Sequence, residues 1–293
     1  MKPLGRLRAS EWLLVAYFCY VAVIAPFFPL QHAAAWRPPV VLFLVLALTT
    51  AFAYGERHEY PAAFSLARDW LAVTLTLVAY REMDWFSPME RKFLWELRWV
   101  GWDRWLLYNA GLQRGIESLG ALLPSYLELC YLLVYAVAPA MVAMIYVERR
   151  RDVIDRVLFL YLAGTLLAYA LFPYFPSDPP RTVFGGSDMP NVMTALRRFN
   201  LWIVNGYGIH SSVFPSAHVS SAFSSAWALL YYTPEKRRFG RGMLIYAISV
   251  SMATIYGRYH YAADALAGLI ISLAAAGFTI LAAPRPLRRH DLP

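Results

Sequence analysis

Three short polar islands interrupt the second half of an otherwise apolar chain, and their residue types suit chemistry on an anionic group. The first is Phe175-Pro176-Ser177-Asp178-Pro179-Pro180-Arg181. The second is Phe214-Pro215-Ser216-Ala217-His218, and the third runs from Tyr256 to Asp264 through Arg258, Tyr259 and His260. His260 and Asp264 stand four apart, so on a helix they share a face and can meet. A carboxylate on one imidazole nitrogen fixes the tautomer and leaves the other nitrogen free to attack. In the second island, Pro215 suits the first turn of a helix and Ser216 can cap its free amides. A helix start already attracts anions, and His218 would stand one turn in, facing whatever binds. Taken alone, this motif equally describes a capped helix with an interfacial histidine. A metal site would need a third or fourth ligand, and with no cysteine near, Asp178 or His210 would have to serve. Metal-free attack by histidine is the better fit.

These islands lie at the mouths of apolar runs. The 293 residues are 59% hydrophobic and only 16% charged, below the usual charged quarter of a soluble domain. The apolar residues gather into runs near the length a helix needs to cross a bilayer. Eight are marked, at 11–30, 38–54, 62–80, 122–147, 153–173, 213–232, 241–258 and 262–282. The expected fold is all-α: a polytopic membrane helical bundle of about eight spans. The net charge of +8 forms no single stripe, which argues against nucleic acid. Its clusters, Arg149-Arg150-Arg151 and Lys236-Arg237-Arg238, fall in loops on the same side as the basic N-terminus and tail, so both termini are expected in the cytoplasm and the islands outside. Lys2, Arg6 and Arg8 precede a first span with no cleavage site after it, which reads as a retained span. Cys19 and Cys130 sit inside apolar runs as small hydrophobes.

Segment 81–121 holds five of the ten tryptophans. Trp95, Trp99, Trp102 and Leu106 recur at helical spacing, with Arg91, Lys92, Arg98 and Arg104 supplying charge. That pattern predicts an amphipathic helix in the outer interface, an aromatic anchor or a lid beside the site. The chain divides into N-terminal spans with this helix (1–121), a catalytic helical core (122–283) and a basic tail (284–293).

The order and spacing of the islands resemble the type 2 phosphatidic acid phosphatase superfamily, with its signatures K-x6-R-P, P-S-G-H and S-R-x5-H-x3-D. Pro215-Ser216-Ala217-His218 matches the second with Ala for Gly, and His260 with Asp264 matches the core of the third. Ala267-Gly268 is also family-like, and the resemblance covers roughly 170–270. Tyr174 stands where the first signature has lysine, Thr182 where it ends in proline, and Thr254 where the third has arginine. Arg258 is expected to supply the missing charge. Pro-Pro-Arg and Arg-Tyr-His-Tyr look more like the inositol phosphorylceramide synthase branch, which contains phosphotransferases. The resemblance implies that His260 attacks phosphorus to give a phosphohistidine while Asp264 steadies the imidazolium. It implies that His218 protonates the leaving oxygen and then serves as base, and that Arg181, Arg258 and Ser216 hold the phosphate oxygens. It calls for no metal and no cofactor.

The expected function is a lipid phosphatase or phosphotransferase at the extracytoplasmic face, acting on a lipid phosphate or phospholipid headgroup, with water, inositol or another alcohol as acceptor. The alternative is a catalytically silent transporter or scaffold that keeps the fold. Intact His218, His260 and Asp264 argue against silence. A proton-coupled transporter would place carboxylates mid-span, whereas Arg68 and Asp69 are adjacent and off the same helical face. For His210, Asp178 and Ser211, which lie nearby, a plain loop role is at least as good a reading as a functional one; His32, His58 and His290 receive no role.

Overall fold

The computed structural model describes residues 7–30, 35–58, 60–88 and 93–282. The expected basic tail 284–293, with His290, lies outside them, as do Lys2, Arg6, His32, Arg91 and Lys92. Among the described residues every regular element is helical. Three long helices open the chain: α1 (Ala9–Ile24), α2 (Arg37–His58) and α3 (Pro61–Glu82). Short α4 (Glu96–Arg104) and α5 (Leu112–Glu117) follow. Then come α6 (Leu122–Leu132), α7 (Val137–Val147), α8 (Ile154–Leu171), the single turn α9 (Pro180–Val183) and α10 (Ala195–Tyr207). The last three are α11 (Ala217–Tyr232), α12 (Arg237–Tyr256) and α13 (Ala262–Ala282).

Six stretches are long and apolar enough to cross a membrane: Ala9–Phe27, Arg37–His58, Pro61–Phe86, Leu122–Val147, Arg151–Tyr174 and Ala262–Ala282. The protein is therefore an all-α integral membrane bundle. The other two expected runs form α11 and α12, which differ for physical reasons. At 16 residues α11 is short of the roughly 20 that span a hydrocarbon core. Arg237, Arg238 and Arg241 crowd the start of α12. In Leu122–Val147, a 3-10 turn at Leu133–Ala136 separates α6 from α7. Pro139 lacks the N–H that would bond the carbonyl four residues earlier, so the ladder breaks there.

The centre of the bundle is α11, packed against α8, α12 and α13. Its sequence, rich in Ala and Ser, lets neighbouring backbones approach closely. A Cβ on Gly164 of α8 would fall 1.9 Å from Ser224 Oγ, and one on Gly268 of α13 would fall 2.4 Å from the Ser216 carbonyl oxygen. These glycines set how near α8 and α13 stand to α11.

The tryptophan segment departs from the expected stripe. The inward side of α4 and the π turn after it is Glu96, Trp99, Val100, Asp103 and Leu107. Trp95, Trp102 and Trp105 are exposed, so only Trp99 of the expected face packs inward, stacked on Phe214 at 4.9 Å. Spacing alone could not tell which flank of so aromatic a helix finds a partner.

At the end where α1, α3 and α8 begin, Arg68 pairs with Glu11 and Glu56, Arg8 with Asp69 and Glu56, and Arg151 with Asp69. Adjacent Arg68 and Asp69 thus join one network through other helices. Sequence inspection also passed over Glu11, Glu82 and Glu128, which are buried within helices.

Candidate active site

Backbone hydrogen bonds draw the three islands together at the far end of the bundle. Arg181 N–H donates to the Arg258 carbonyl at 3.1 Å, tying the first to the third. Ser216 N–H donates to the Asp264 carbonyl at 3.0 Å, tying the second to the third. The end of α12 then shapes the loop before α13: Tyr259 and His260 N–H both donate to the Thr254 carbonyl, at 2.9 and 3.0 Å. Arg258 adopts a φ of 60°, unusual for a residue with a Cβ, and turns the chain between them.

That turn orients His260. Its Nδ1 lies 2.9 Å from the Val213 carbonyl oxygen and 3.3 Å from Asp264 Oδ2. A carbonyl can only accept, so Nδ1 carries the proton and Nε2 is left with its lone pair. Asp264 Oδ2 also accepts from Tyr261 N–H at 2.9 Å, which fixes the carboxylate against the loop. The His218 ring stands 5.3 Å from that of His260, centroid to centroid. It lies flat on Tyr131, 5.3 Å away and 5° from parallel, and its buried Nε2 has no hydrogen-bond partner. Tyr131 in turn stacks on Tyr259 at 3.7 Å.

The Arg181 guanidinium lies over the Tyr259 ring, 5.6 Å from its centroid. Among the described residues no carboxylate pairs with it. Arg181, His218 and His260 line one cavity, with Tyr131, Tyr135, Ser212 and Ser221 beside them and aliphatic and tyrosine side chains of α3, α7 and α8 beyond. Two imidazole rings and the Arg181 guanidinium face one space that no carboxylate among the described residues lines, an arrangement suited to an anion.

Two residues expected on the phosphate are turned elsewhere. Arg258 does not line the cavity: its guanidinium donates to Asp103 Oδ2 at 2.5 Å, and its side chain is only 1% exposed. Asp103 Oδ1 accepts from Ala262 N–H at 2.8 Å, so α4 braces both the loop that carries His260 and the start of α13. Ser216 is fully buried, caps α11 by accepting from Val219 N–H at 3.4 Å, and does not reach the cavity. Tyr174 packs edge-on against Phe28, outside the cavity. Asp178 N–H donates to Glu96 at 3.0 Å, exposed His210 sits beside Asp84, and Ser211 is buried. Among the described residues no three His, Cys, Asp or Glu side chains converge as a metal site.

Glu128 is the functional neighbour that sequence inspection missed. It lies within an apolar run and is buried, where it accepts from Arg197 at 2.8 Å, Asn200 at 2.7 Å and the Tyr259 hydroxyl at 2.7 Å. Arg197 also lies over the Tyr259 ring at 5.8 Å. Tyr259, next to His260, is thereby held through its hydroxyl, by the Tyr131 stack and by two guanidiniums over its ring. A carboxylate inside a span was a usable signal; its partners, 69 to 131 residues away, were not readable.

Fold and site together define a helical integral membrane protein with a cavity lined by two histidines and an arginine at one end of its bundle. Residues 99–278 match the PAP2 superfamily, more than half the chain, and the chain belongs to that superfamily. No match was found among curated proteins or among solved structures.

Proposed function

We propose that the protein transfers or hydrolyses a phosphate-containing group on a lipid through a phosphohistidine at His260. The observation that carries this reading is the orientation of His260, whose Nδ1 proton is held by Val213 and Asp264 while His218 stands 5.3 Å away, ring to ring. His260 Nε2 forms a bond to phosphorus as the bond to the leaving ester oxygen breaks, and His218, which takes up a proton as the anionic phosphate enters the buried site, gives that oxygen its proton. In the second half-reaction His218 takes a proton from water or an alcohol. The resulting oxygen bonds to phosphorus, and the P–N bond breaks with its electron pair returning to His260. Arg181 offsets the charge on the non-bridging oxygens, the role that matters most in phosphoryl transfer. The scheme uses no metal and no cofactor.

Headgroup transfer is the better-supported branch. A phosphomonoester carries nearly two negative charges at neutral pH, a diester one. Arg181 is the one arginine or lysine lining the cavity among the described residues, since Arg258 is neutralised by Asp103. The likeness of Pro179-Pro180-Arg181 and Arg258-Tyr259-His260-Tyr261 to the inositol phosphorylceramide synthase branch supports the same choice. The loops at 148–153 and 233–236 lie at the bundle end opposite the cavity, and their basic character supports an extracytoplasmic site.

Product analysis tests this directly. Purified protein given a labelled phospholipid donor and excess inositol or lipid alcohol should yield a labelled transfer product. Inorganic phosphate from a monoester, whatever acceptor is present, would make it a phosphatase.

A further inference from the structure

The cavity has two chemically different ends. Arg181, His218 and His260 face one of them. From there it follows α3, whose Tyr80, Leu77, Thr76 and Val73 form one wall. Val73 and Tyr80 stand seven positions apart, about 10 Å of helix at the usual rise. The Thr76 hydroxyl donates to the Ala72 carbonyl at 2.9 Å and the Tyr80 hydroxyl accepts from Ile209 N–H at 3.3 Å, so between them this wall offers an incoming group mostly hydrocarbon.

The cavity is also open to the flank of the bundle. Leu77 is 54% exposed and Tyr135 42% exposed, yet both line it, so the opening lies between α3 and the α6–α7 rod. Both residues sit well inside the spans Pro61–Phe86 and Leu122–Val147. The opening therefore meets the hydrocarbon of the bilayer rather than water. One occupant suits an apolar channel that is continuous with the lipid at one end and with an anion site at the other: a phosphate ester borne on a hydrocarbon chain. A water-soluble phosphate ester would leave the apolar part empty.

Resting on the function proposed above, we infer that a hydrocarbon chain of the substrate lies along α3 from Tyr80 to Val73, entering sideways past Leu77 and Tyr135, and that α3 sets which chains are accepted. Because α3 precedes the matched residues 99–278, this selectivity belongs to a part of the chain that the superfamily match does not include.

Two measurements on the full chain in lipid nanodiscs decide it. In the first, the His260→Ala protein is irradiated with a lipid phosphate carrying a diazirine at the end of its chain, and the label is mapped by mass spectrometry. Label on the 73–80 segment is expected; label confined to other helices, or to none, overturns the inference. In the second, turnover is compared across chain lengths. Val73→Trp should lower the ratio of long-chain to short-chain turnover by about tenfold or more, the scale on which apolar pockets discriminate. Val73→Leu, which is easier to fold, should shift it the same way. Leu281→Trp, on an exposed face of α13, should leave the ratio alone. An unchanged ratio in Val73→Leu overturns the inference. Wild-type silence toward every lipid donor counts instead against the proposed function, and the cross-link then still decides whether α3 meets the chain.

Discussion

Arg258, two residues before His260, donates to Asp103 Oδ2 at 2.5 Å, and both side chains are sealed from solvent. The bond joins α4 to the loop that presents His260, across 155 residues of sequence. A buried pair of this kind stabilises little as a pair, but breaking it leaves an uncompensated charge in low dielectric. Asp103→Asn should therefore destabilise the protein by about 3–5 kcal/mol. Combined with Arg258→Met, it should cost less than the single change, because no charge is left stranded. Thermal unfolding in detergent measures both. If Arg258 held phosphate instead, Arg258→Met would abolish turnover while leaving the unfolding temperature nearly unchanged.

The Tyr259 hydroxyl donates to Glu128, which also binds Arg197. Tyr259→Phe removes one buried hydrogen bond and should cost about 1–3 kcal/mol. Glu128→Ala strands buried Arg197 and should cost more, about 3–5 kcal/mol. Glu128→Gln keeps acceptors for Tyr259 and Asn200 and should fall between them. Equal unfolding temperatures for all three would show that the network holds nothing in place.

Much of the site was readable because its signals are local. His260 and Asp264 are four apart, and the Ser216 cap lies in the turn it closes. The long apolar runs gave the spans for the same reason, since hydropathy needs no partner. What escaped was set by contacts far along the chain. Arg258 is close to His260 in sequence, yet its left-handed backbone and Asp103 take the side chain away from the cavity. Glu128 looked like an interruption in a span until Arg197, Asn200 and Tyr259 surrounded it. Trp99 was indistinguishable from Trp102 by spacing; Phe214 and Tyr261 select it.

Gly268 sits where α13 crosses the start of α11. A Cβ there would stand 2.4 Å from the Ser216 carbonyl and 3.2 Å from Ser220 N, both backbone atoms that cannot rotate aside. Gly268→Ala should push the helices apart and cost about 1–3 kcal/mol. Because Ser216 N–H is bonded to the Asp264 carbonyl at the same crossing, turnover should fall as well. Gly277→Ala, with open space around its Cβ position, is the matched control and should be neutral.

Sidedness has its own test. Met193 is exposed at the cavity end of the bundle, and Arg237 is exposed at the other. With the site outside, Met193→Cys should react with an impermeant maleimide in intact cells and Arg237→Cys should react only after lysis. The reverse pattern would put the site in the cytoplasm.

The central claim is a covalent phosphohistidine on His260. Asp264→Asn should slow turnover by roughly 10²–10⁴, the range for loss of a carboxylate that holds a histidine, and the Val213 carbonyl favours the lower end. The most direct measurement is rapid quenching of the enzyme with a donor labelled in its phosphate, followed by peptide mapping under alkaline conditions that preserve phosphohistidine. The label should appear on His260, build up when His218→Ala slows its release, and vanish in His260→Ala together with turnover. Full turnover in His260→Ala, or label trapped on any other residue, would contradict the account.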